Sequence, residues 1–201
     1  MTVIKSIPAP GSGIISALCF DGKYIWCQDV ANTQIHMIDR NGNLIKTFAC
    51  PNWSPVGIAF DGKYIWHGDN FTMLVYMLDR NGTQIKTFFL PANNIISIEF
   101  DGKYLWMMGG GGLLYQVDRN QHVISTIVDG PAPRDMAFDG RYMWIAASNV
   151  IYMIDKNLTV PPIVMKTIAS AGANVIGITF DGKYLWQSDS ITGRIYMTDR
   201  V

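Results

Sequence analysis

The sequence predicts an all-β fold, a five-bladed β-propeller with four antiparallel strands in each blade. Three observations support this prediction. A heptad of the form Phe-Asp-Gly-Lys-Tyr-Ile-Trp occurs five times with small changes, and its phenylalanines are 40, 40, 38 and 42 residues apart. Each repeat contains four short runs of β-forming residues separated by turn signals. The beginning of the chain matches the one strand that the last repeat lacks. Four-stranded repeats of about 40 residues are typical of propeller blades.

The second repeat shows the four strands, which we name A to D in chain order. Their predicted ranges are 56–60, 64–66, 74–78 and 84–88. Between A and B stands Asp61-Gly62, which predicts a type I′ hairpin turn with positive φ at both residues. Between C and D stands Asn81-Gly82, a second tight-turn signal. Aromatic and β-branched residues dominate all four runs, and no helical period competes with them.

Strands B and D differ in the surroundings that their residues predict. Strand B is apolar on both faces, as in Tyr64-Ile65-Trp66, which indicates a strand covered by neighbouring blades on both sides. Strand D instead carries Lys-Thr pairs, at 46–47, 86–87 and 166–167. A charged strand is typical of an outer edge, because the charge discourages pairing with another edge. The order from the centre outward is therefore A, B, C, D.

The two ends of the chain predict how the ring closes. The fifth repeat stops after strand C, and the segment Ile4-Lys5-Ser6-Ile7 matches the D strand Ile45-Lys46-Thr47-Phe48. We therefore expect residues 2–7 to pair with residues 194–199 and to complete the last blade. The whole chain, 1–201, is one domain in this interpretation. Its repeat units are approximately 14–50, 54–90, 94–128, 132–168, and 174–201 together with 2–7.

The heptad itself is interpreted as a building part of the fold. Its Asp-Gly pair supplies turn chemistry, and its Tyr and Trp supply apolar surface for packing between blades. A residue set that explains its own fold needs no further role to account for five copies. Residues that carry a function are therefore expected among those that differ between repeats.

Composition excludes several classes of partner. The chain has 16 basic and 16 acidic residues, so it has no net charge to attract nucleic acid or an anionic membrane. No apolar run approaches the roughly 18 residues that a membrane span needs. Cys19, Cys27 and Cys50 lack the spacing of a zinc site or a disulfide framework, and we interpret Cys19 and Cys27 as core residues. We expect a monomer that binds neither nucleic acid nor membrane.

The first residues contain no signal-peptide pattern, and together with the unpaired cysteines this favours a cytoplasmic location. Secretion stays open if a leader has been removed.

The repeat FDGKYLW…IYMIDRNG…IKTF resembles the YVTN-type bacterial propeller repeats and the repeats of streptogramin B lyase and NHL-like propellers. The resemblance covers the whole chain and implies a propeller fold. For the lyases it also implies histidines and an acidic residue that hold a divalent metal on one face of the ring. His36, His67 and His122 stand in different repeats at unlike places, and no pair matches that arrangement. No catalytic or metal-binding residue is therefore predicted.

The B–C and D–A loops vary between repeats and share one face of a propeller, so a binding site is expected there. The residues three positions after the heptad tryptophans include Asp29, Asp69 and Asp189, with Gly or Ala in the other two repeats. Because the ring closes, these three lie on consecutive blades. They predict an acidic arc for sugar hydroxyls, a divalent cation or a basic partner. The alternative is that each Asp closes its own B–C turn.

Strand A and one loop supply the other candidate residues. Glu99, Arg134 and Asp135 depart from the small or apolar residues at the same positions of the other repeats. They predict a polar site near the central channel, or alternatively a salt bridge that fills the channel mouth. Trp53 is the one tryptophan outside a heptad. It is suited to stacking on a sugar or anchoring a partner, or to packing as a lid.

These observations favour a non-enzymatic binding propeller on the B–C/D–A face. Its ligand would be a carbohydrate, another small polar molecule or a protein partner. No cofactor is predicted, and a divalent cation at the acidic arc stays open. Two alternatives remain at this point: a metal-dependent enzyme of the streptogramin lyase type, and a purely structural repeat protein that was recently amplified or designed.

Overall fold

The computed structural model describes residues 1–110, 112–127, 133–155 and 164–200. Within these residues, twenty strands form five antiparallel sheets of four strands each, and no helix occurs. No helix long and apolar enough to cross a bilayer is therefore found in the described part of the chain. The predicted five-bladed β-propeller is confirmed. The expected repeat limits at 128 and 132 lie outside the described residues.

The strands of the five blades follow the chain. Blade 1 contains β2 (Ile15–Phe20), β3 (Ile25–Asp29), β4 (Gln34–Ile38) and β5 (Leu44–Ala49). Blade 2 contains β6 (Pro55–Phe60), β7 (Ile65–Asp69), β8 (Leu74–Leu78) and β9 (Gln84–Phe89). Blade 3 contains β10 (Ile95–Phe100), β11 (Leu105–Gly109), β12 (Leu114–Val117) and β13 (Val123–Ile127). Blade 4 contains β14 (Asp135–Phe138), β15 (Tyr142–Ala147), β16 (Val150–Asp155) and β17 (Val164–Ala169). Blade 5 contains β18 (Val175–Phe180), β19 (Leu185–Asp189), β20 (Arg194–Thr198) and, as its fourth strand, β1 (Val3–Pro8).

The ring closes through the amino-terminal strand, as predicted. Strand β1 pairs antiparallel with β20, in a register that places Ile7 opposite Ile195 and Lys5 opposite Met197. Ile7 is buried in an apolar cluster with Ile15, Leu18 and Trp186. The closing strand therefore contributes core residues as well as backbone hydrogen bonds, and it joins the first segment of the chain to the last.

The A–B turn is centred on Gly62 and Lys63, one residue later than the predicted type I′ turn. Gly62 has a φ of +94°, but Asp61 is not among the residues with positive φ. The turn is instead closed by the backbone N–H of Asp61, which donates to the carbonyl of Tyr64. The Asp61 carboxylate accepts the backbone N–H groups of Lys63 and Tyr64 at 2.9 and 2.8 Å. The type I′ prediction was wrong because the aspartate side chain caps a four-residue turn that needs positive φ only at glycine.

The heptad tryptophans lie between blades, as the sequence predicted. Trp26 is fully buried in a cluster that contains Ile58 and Ile65 of the next blade. Four further clusters fill the other four gaps between neighbouring blades, and each contains one heptad tryptophan. The Nε1 of Trp26 donates to the carboxylate of Asp21 at 3.0 Å. Burial of the aromatic rings is the main apolar contribution to the packing of blade on blade.

A polar contact repeats around the ring on the side of the A–B and C–D turns. The arginine of a C–D turn pairs with the heptad aspartate of the preceding blade and stacks on the heptad phenylalanine of its own blade. The described ion pairs are Arg40–Asp181, Arg80–Asp21, Arg119–Asp61 and Arg200–Asp139. The stacking distances from guanidinium carbon to ring centroid are 4.7 to 4.9 Å. Each blade is thus held to its neighbour by charge as well as by apolar burial.

The lysines of strand D make a second contact between blades. Lys46 donates from Nζ to the carbonyl of Arg80 at 3.3 Å and to Oδ1 of Asn81 at 2.5 Å. Lys5 makes the equivalent contacts with the C–D turn of blade 1. These outer lysines therefore bind the neighbouring turn in addition to placing charge on the edge.

The closing strand provides the first testable prediction. Ile7 is 3% exposed and Ile4 is 49% exposed, although both belong to β1. The substitution Ile7→Ala should lower the free energy of unfolding by about 2 to 5 kcal/mol, because it removes buried apolar atoms at the ring closure. The matched control Ile4→Ala should change it by less than about 0.5 kcal/mol. Urea titration of both variants measures the difference, and equal effects would contradict the role of β1 as a core strand.

Candidate functional site

A depression with a volume of about 280 Å³ lies at the channel mouth, where the B–C and D–A loops meet the inner strands. One residue of each blade, four positions before the heptad phenylalanine, lines it: Ser16, Val56, Ile96, Arg134 and Ile176. Pro55, Gly57, Ile95, Asn70 and Asn94 complete the lining. The depression is therefore mainly apolar, with one cation and a few polar groups.

Arg134 is the residue that makes this depression asymmetric. It is exposed, and among the described residues no hydrogen bond or ion pair of its guanidinium group is found. The alternative of a salt bridge between Arg134 and Glu99 or Asp135 is likewise not found there. A guanidinium group has five N–H donors in a planar fork. Since none of these donors has a partner in the described part of the chain, they can bind a ligand.

Asp135 lies beneath the depression and joins four blades. Three positions before the heptad phenylalanine the other blades have Ala17, Gly57, Ser97 and Gly177, which leave room at the centre of the ring. Oδ1 of Asp135 accepts the Ser97 hydroxyl at 2.6 Å. Oδ2 accepts the backbone N–H groups of Ile178 at 2.8 Å and Leu18 at 3.3 Å. The fully buried carboxylate therefore fastens blade 4 to blades 1, 3 and 5.

Burial raises the pKa of two carboxyl groups in the channel, those of Asp135 and Glu99, and so favours their protonated forms. It raises the pKa of Asp135 to about 7, although the hydrogen bonds from Ser97, Ile178, Met136 and Leu18 act to lower it. Burial also raises the pKa of Glu99 well above its usual value. A backbone hydrogen bond from Phe100 opposes that shift, and the nearby Asp135 carboxylate adds to it. Glu99 stands two residues further along strand A than Ser97, and it does not line the depression.

The three aspartates of the predicted acidic arc are buried beneath their loops. Asp29 accepts N–H groups of Asn32 in its own B–C turn and of Ser12 in the D–A loop, and its Oδ2 lies 3.4 Å from Nε2 of His36. Burial acts to raise the pKa of Asp29, but these hydrogen bonds outweigh it and leave the pKa below its usual value. This geometry corresponds to the alternative in which each aspartate closes its own turn.

Asp69 and Asp189 repeat this arrangement to different degrees. Asp69 accepts the N–H groups of Thr72 and Ser54 at 2.8 and 2.7 Å. Asp189 accepts the N–H of Ile191 at 2.7 Å through Oδ1, whereas its buried Oδ2 has no partner among the described residues. The described residues contain no group of three or more potential metal ligands. The aspartates therefore shape the loops from below.

Trp53 forms an exposed aromatic pair that the sequence did not predict. Its ring is 4.8 Å from that of Phe71, at an interplanar angle of 79°. Trp53 and Phe71 are 65% and 64% exposed. The two loops that carry these rings continue directly into Pro55 and Asn70, which line the depression. The pair therefore lies on the blade 2 side of the same face.

Asn70 and Asn94 are lining residues that sequence reasoning missed. Asn70 donates from Nδ2 to the carbonyl of Ile95 and accepts the Ile95 N–H through Oδ1, so it links blade 2 to blade 3. Asn94 has a φ of +61° and is exposed. The signal for Asn70 was its place directly after Asp69, where the other repeats have Val, Gly or Ser.

The three histidines lie at separate places. His36 contacts Thr47 at 2.8 Å, and His67 is buried with its Nδ1 3.0 Å from the side-chain oxygen of Gln28. Burial lowers the pKa of His67 to about 4. His122 is on the surface and pairs with Asp118. No two of them face each other across one site.

No protein-family model and no curated protein sequence matches this chain. Similar solved structures include glutaminyl cyclase of Myxococcus xanthus, with a TM-score of 0.82 and 10% identity, covering 98% of this chain and 94% of that chain. A nidogen/laminin complex has a TM-score of 0.64 at 18% identity, covering 92% and 76%. Virginiamycin B lyase of Staphylococcus aureus has a TM-score of 0.56 at 17% identity, covering 97% and 69%. At these identities the similarity shows the fold, and it confirms the resemblance to lyase-type propellers at that level.

Two of the aspartates provide a matched pair for testing the turn-closing role. Both oxygens of Asp29 face N–H donors, whereas Oδ2 of Asp189 faces none in the described residues. Asp29→Asn should lower the free energy of unfolding by about 1 to 3 kcal/mol, because an amide N–H would then point at those donors. Asp189→Asn should cost less than about 1 kcal/mol, since the carbonyl can keep the Ile191 contact. Denaturant unfolding compares them, and a larger loss for Asp189→Asn would refute the assignment.

Asp135 predicts a pH dependence of stability. Its folded-state pKa of about 7 lies above its ordinary value of 3.8. The folded protein therefore holds a proton that the unfolded chain releases, and the free energy of unfolding falls as pH rises from about 4 to about 7. The shift corresponds to roughly 4 kcal/mol at most.

The variant Asp135→Asn isolates this effect, because its amide can donate to Ser97 while its carbonyl accepts from Ile178 and Leu18. It should match the parent protein at pH 5 and exceed its stability by at least about 1 kcal/mol at pH 8. Urea unfolding at both pH values measures this. If the free energy of unfolding changed with pH in parallel for the two proteins, the Asp135 carboxylate would not be the cause of the pH dependence.

Proposed function

We propose that this protein is a non-catalytic binding propeller whose ligand occupies the depression at the channel mouth. The observation that carries the proposal is the exposed guanidinium group of Arg134, which has no partner among the described residues and lies beside an apolar lining. In the other four blades the same position holds Ser16, Val56, Ile96 and Ile176. The fold therefore does not require an arginine at this position, and binding of a ligand would account for Arg134.

The lining favours a small molecule with an anionic group on an apolar or ring-shaped body. A guanidinium fork matches the two oxygens of a carboxylate and forms two parallel hydrogen bonds with it. The side chains of Val56, Ile96 and Ile176 offer apolar contact to the remainder of the ligand. An acidic sugar such as a uronic acid combines both features, since its ring has apolar C–H faces.

The aromatic pair extends this site at its edge. The exposed indole of Trp53 is suited to stacking on a sugar ring, and its edge contact with Phe71 holds it in place. Asp29, Asp69 and Asp189 contribute in this proposal by fixing the loops from below, whereas Asp135 closes the floor. Glu99 lies deeper in the channel and is not assigned a contact.

The structural neighbours are compatible with a binding role and with an enzymatic one. Glutaminyl cyclase and virginiamycin B lyase are named as enzymes, and the nidogen/laminin structure is a complex between proteins. One propeller fold thus carries different functions, which are decided by the residues of its site. The lyase alternative would need metal-dependent activity that is lost on substitution of His67 or Glu99. The two lie in different blades, and His67 is fully buried.

Binding of galacturonate provides the test. Backbone amide chemical shifts of the parent protein should move on titration with galacturonate, at Val56, Asn94 and Ile96 first. Neutral galactose should bind at least tenfold more weakly, which corresponds to about 1.4 kcal/mol. Arg134→Gln should lose a similar factor, and Arg134→Lys should recover only part of it, because an ammonium group cannot form the bidentate contact.

Lys183→Gln on the opposite face serves as the control for loss of charge and should leave the affinity for galacturonate unchanged. Shift changes confined to that opposite face, or an affinity that is indifferent to Arg134→Gln, would refute the proposed site.

A further inference from the structure

The opposite face of the ring carries a second, repeated feature that the proposed function does not use. Two grooves of about 380 and 410 Å³ lie between blades 5 and 1 and between blades 4 and 5. Both contain a heptad aspartate, the lysine or arginine two positions later, the following tyrosine, a strand D lysine and the C–D arginine of the next blade. The first is lined by Asp181, Lys183, Tyr184, Lys5 and Arg40, and the second by Asp139, Arg141, Tyr142, Lys166 and Arg200.

Each groove holds more positive than negative charge. In the groove between blades 5 and 1, the cations Lys5, Arg40 and Lys183 face one carboxylate, that of Asp181. Hydrogen bonds from Asn43 and Asn41 of the adjacent turn lower the pKa of Asp39, and the charge of Lys5 adds to this shift, so the Asp39 carboxylate lies near Lys5 although it does not line the cavity. Three cations thus face two carboxylates, those of Asp181 and Asp39, and one positive charge is left over.

The cations also retain donors that have no partner within the described part of the chain. Arg40 donates from Nε and Nη2 to Asp181, which leaves Nη1 unassigned. Lys183 is exposed, and its Nζ lies 4.8 Å from the centroid of the Tyr184 ring. A tetrahedral oxyanion has oxygens on several sides and can accept from such divergent donors at once.

The same set of residues recurs around the ring. Lys23, Tyr24, Lys46 and Arg80 surround Asp21 between blades 1 and 2, with the Arg80–Asp21 ion pair at 3.3 Å. Between blades 2 and 3, Arg119 pairs with Asp61, and Lys63 lies over the Tyr64 ring. Within the described residues, four of the five gaps between blades therefore contain the aspartate, the C–D arginine and a cation over the tyrosine, and three of these four also have the contact of a strand D lysine. Repeated weak sites on one rigid ring bind a polyvalent ligand far more tightly than a single group.

We propose that this turn face binds a flexible polyanion through its phosphate or sulfate groups, one group in each groove. The grooves favour a polyanion without bases over single-stranded nucleic acid, because one face of each tyrosine ring is already covered by its lysine or arginine neighbour. Base stacking needs free aromatic faces. The neutral net charge of the chain conceals this surface, since 14 of the 16 basic residues but only ten of the 16 acidic residues belong by sequence to the A–B turns, the C–D turns and strand D.

Charge-changing substitutions of the exposed lysines provide the test. The set is Lys23→Gln, Lys63→Gln, Lys103→Gln and Lys183→Gln in one variant. A matched variant carries Lys→Arg at the same four positions, and Arg141, which occupies the corresponding place in blade 4, shows that the fold accepts arginine. Binding of dextran sulfate and of polyphosphate is measured by calorimetry at 50 and 200 mM salt, with uncharged dextran as the ligand control.

The parent protein and the arginine variant should bind at least one of the two polyanions with an affinity that falls steeply with salt. The glutamine variant should bind at least tenfold more weakly and show a smaller salt dependence. The polyanion that binds more tightly shows whether the grooves prefer phosphate or sulfate groups. Thermal unfolding verifies that the glutamine variant is folded.

Equal binding by the glutamine variant, equal binding of uncharged dextran, or tighter binding of an oligothymidylate than of either polyanion would overturn the inference. Arg134→Gln should leave polyanion binding unchanged, so this test and the galacturonate test fail independently.

Discussion

The carboxylate of the heptad aspartate is the interaction on which the rest of this ring depends. In blade 1, Oδ1 of Asp21 accepts the N–H groups of Lys23 and Tyr24, which closes the A–B turn. Oδ2 accepts Nε1 of Trp26 and pairs with Arg80 of the next blade. One side chain thus joins a local turn, the aromatic core and the neighbouring blade. Among the described residues, the turn contact recurs in all five copies and the arginine pair in four, whereas the tryptophan contact is found in blades 1 and 4. Because a closed ring has no blade without a neighbour, turn closure and pairing with the next blade account for the repetition of this aspartate.

The centre of the ring imposes a second constraint, which connects the fold to the proposed site. Five inner strands converge there, and the side chains three positions before the heptad phenylalanines must be small. Asp135 is the exception, and it fits because its oxygens take N–H and O–H donors from three other blades. Its carboxylate closes the channel beneath the depression, while its neighbour Arg134 points its charge to the outside. The polar contact that holds the centre together therefore also makes a floor for a ligand.

Much of the fold could be predicted from the sequence because its signals are local and repeated. The five heptads predicted the number of blades, and the match of residues 4–7 to a D strand predicted that the amino-terminal strand closes the ring. The A–B turn was mispredicted because the capping by Asp61 is a side-chain geometry that the dipeptide Asp-Gly does not reveal. The ion pairs between neighbouring blades were not predicted, because they join residues that are far apart in the sequence. Arg40 and Asp181, for example, are 141 positions apart. Arg134 could be singled out because it departs from its repeat. The saturation of Asp29 could be predicted only in part, because some of its donors lie in its own B–C turn, whereas Ser12 lies in the D–A loop that leads from blade 5 into blade 1.

The two faces of this propeller use symmetry in opposite ways. Of the 16 basic residues, all except Arg134 and Arg194 belong by sequence to the A–B turns, the C–D turns or strand D. A residue that is repeated in every blade cannot create one distinctive site, but it can create several equal and weak ones. A residue that occurs in one blade, such as Arg134 or Trp53, breaks the symmetry and can select one ligand in one orientation. The turn face is therefore suited to a polyvalent partner and the loop face to a single small molecule, and a net charge of zero is the sum of two differently charged surfaces.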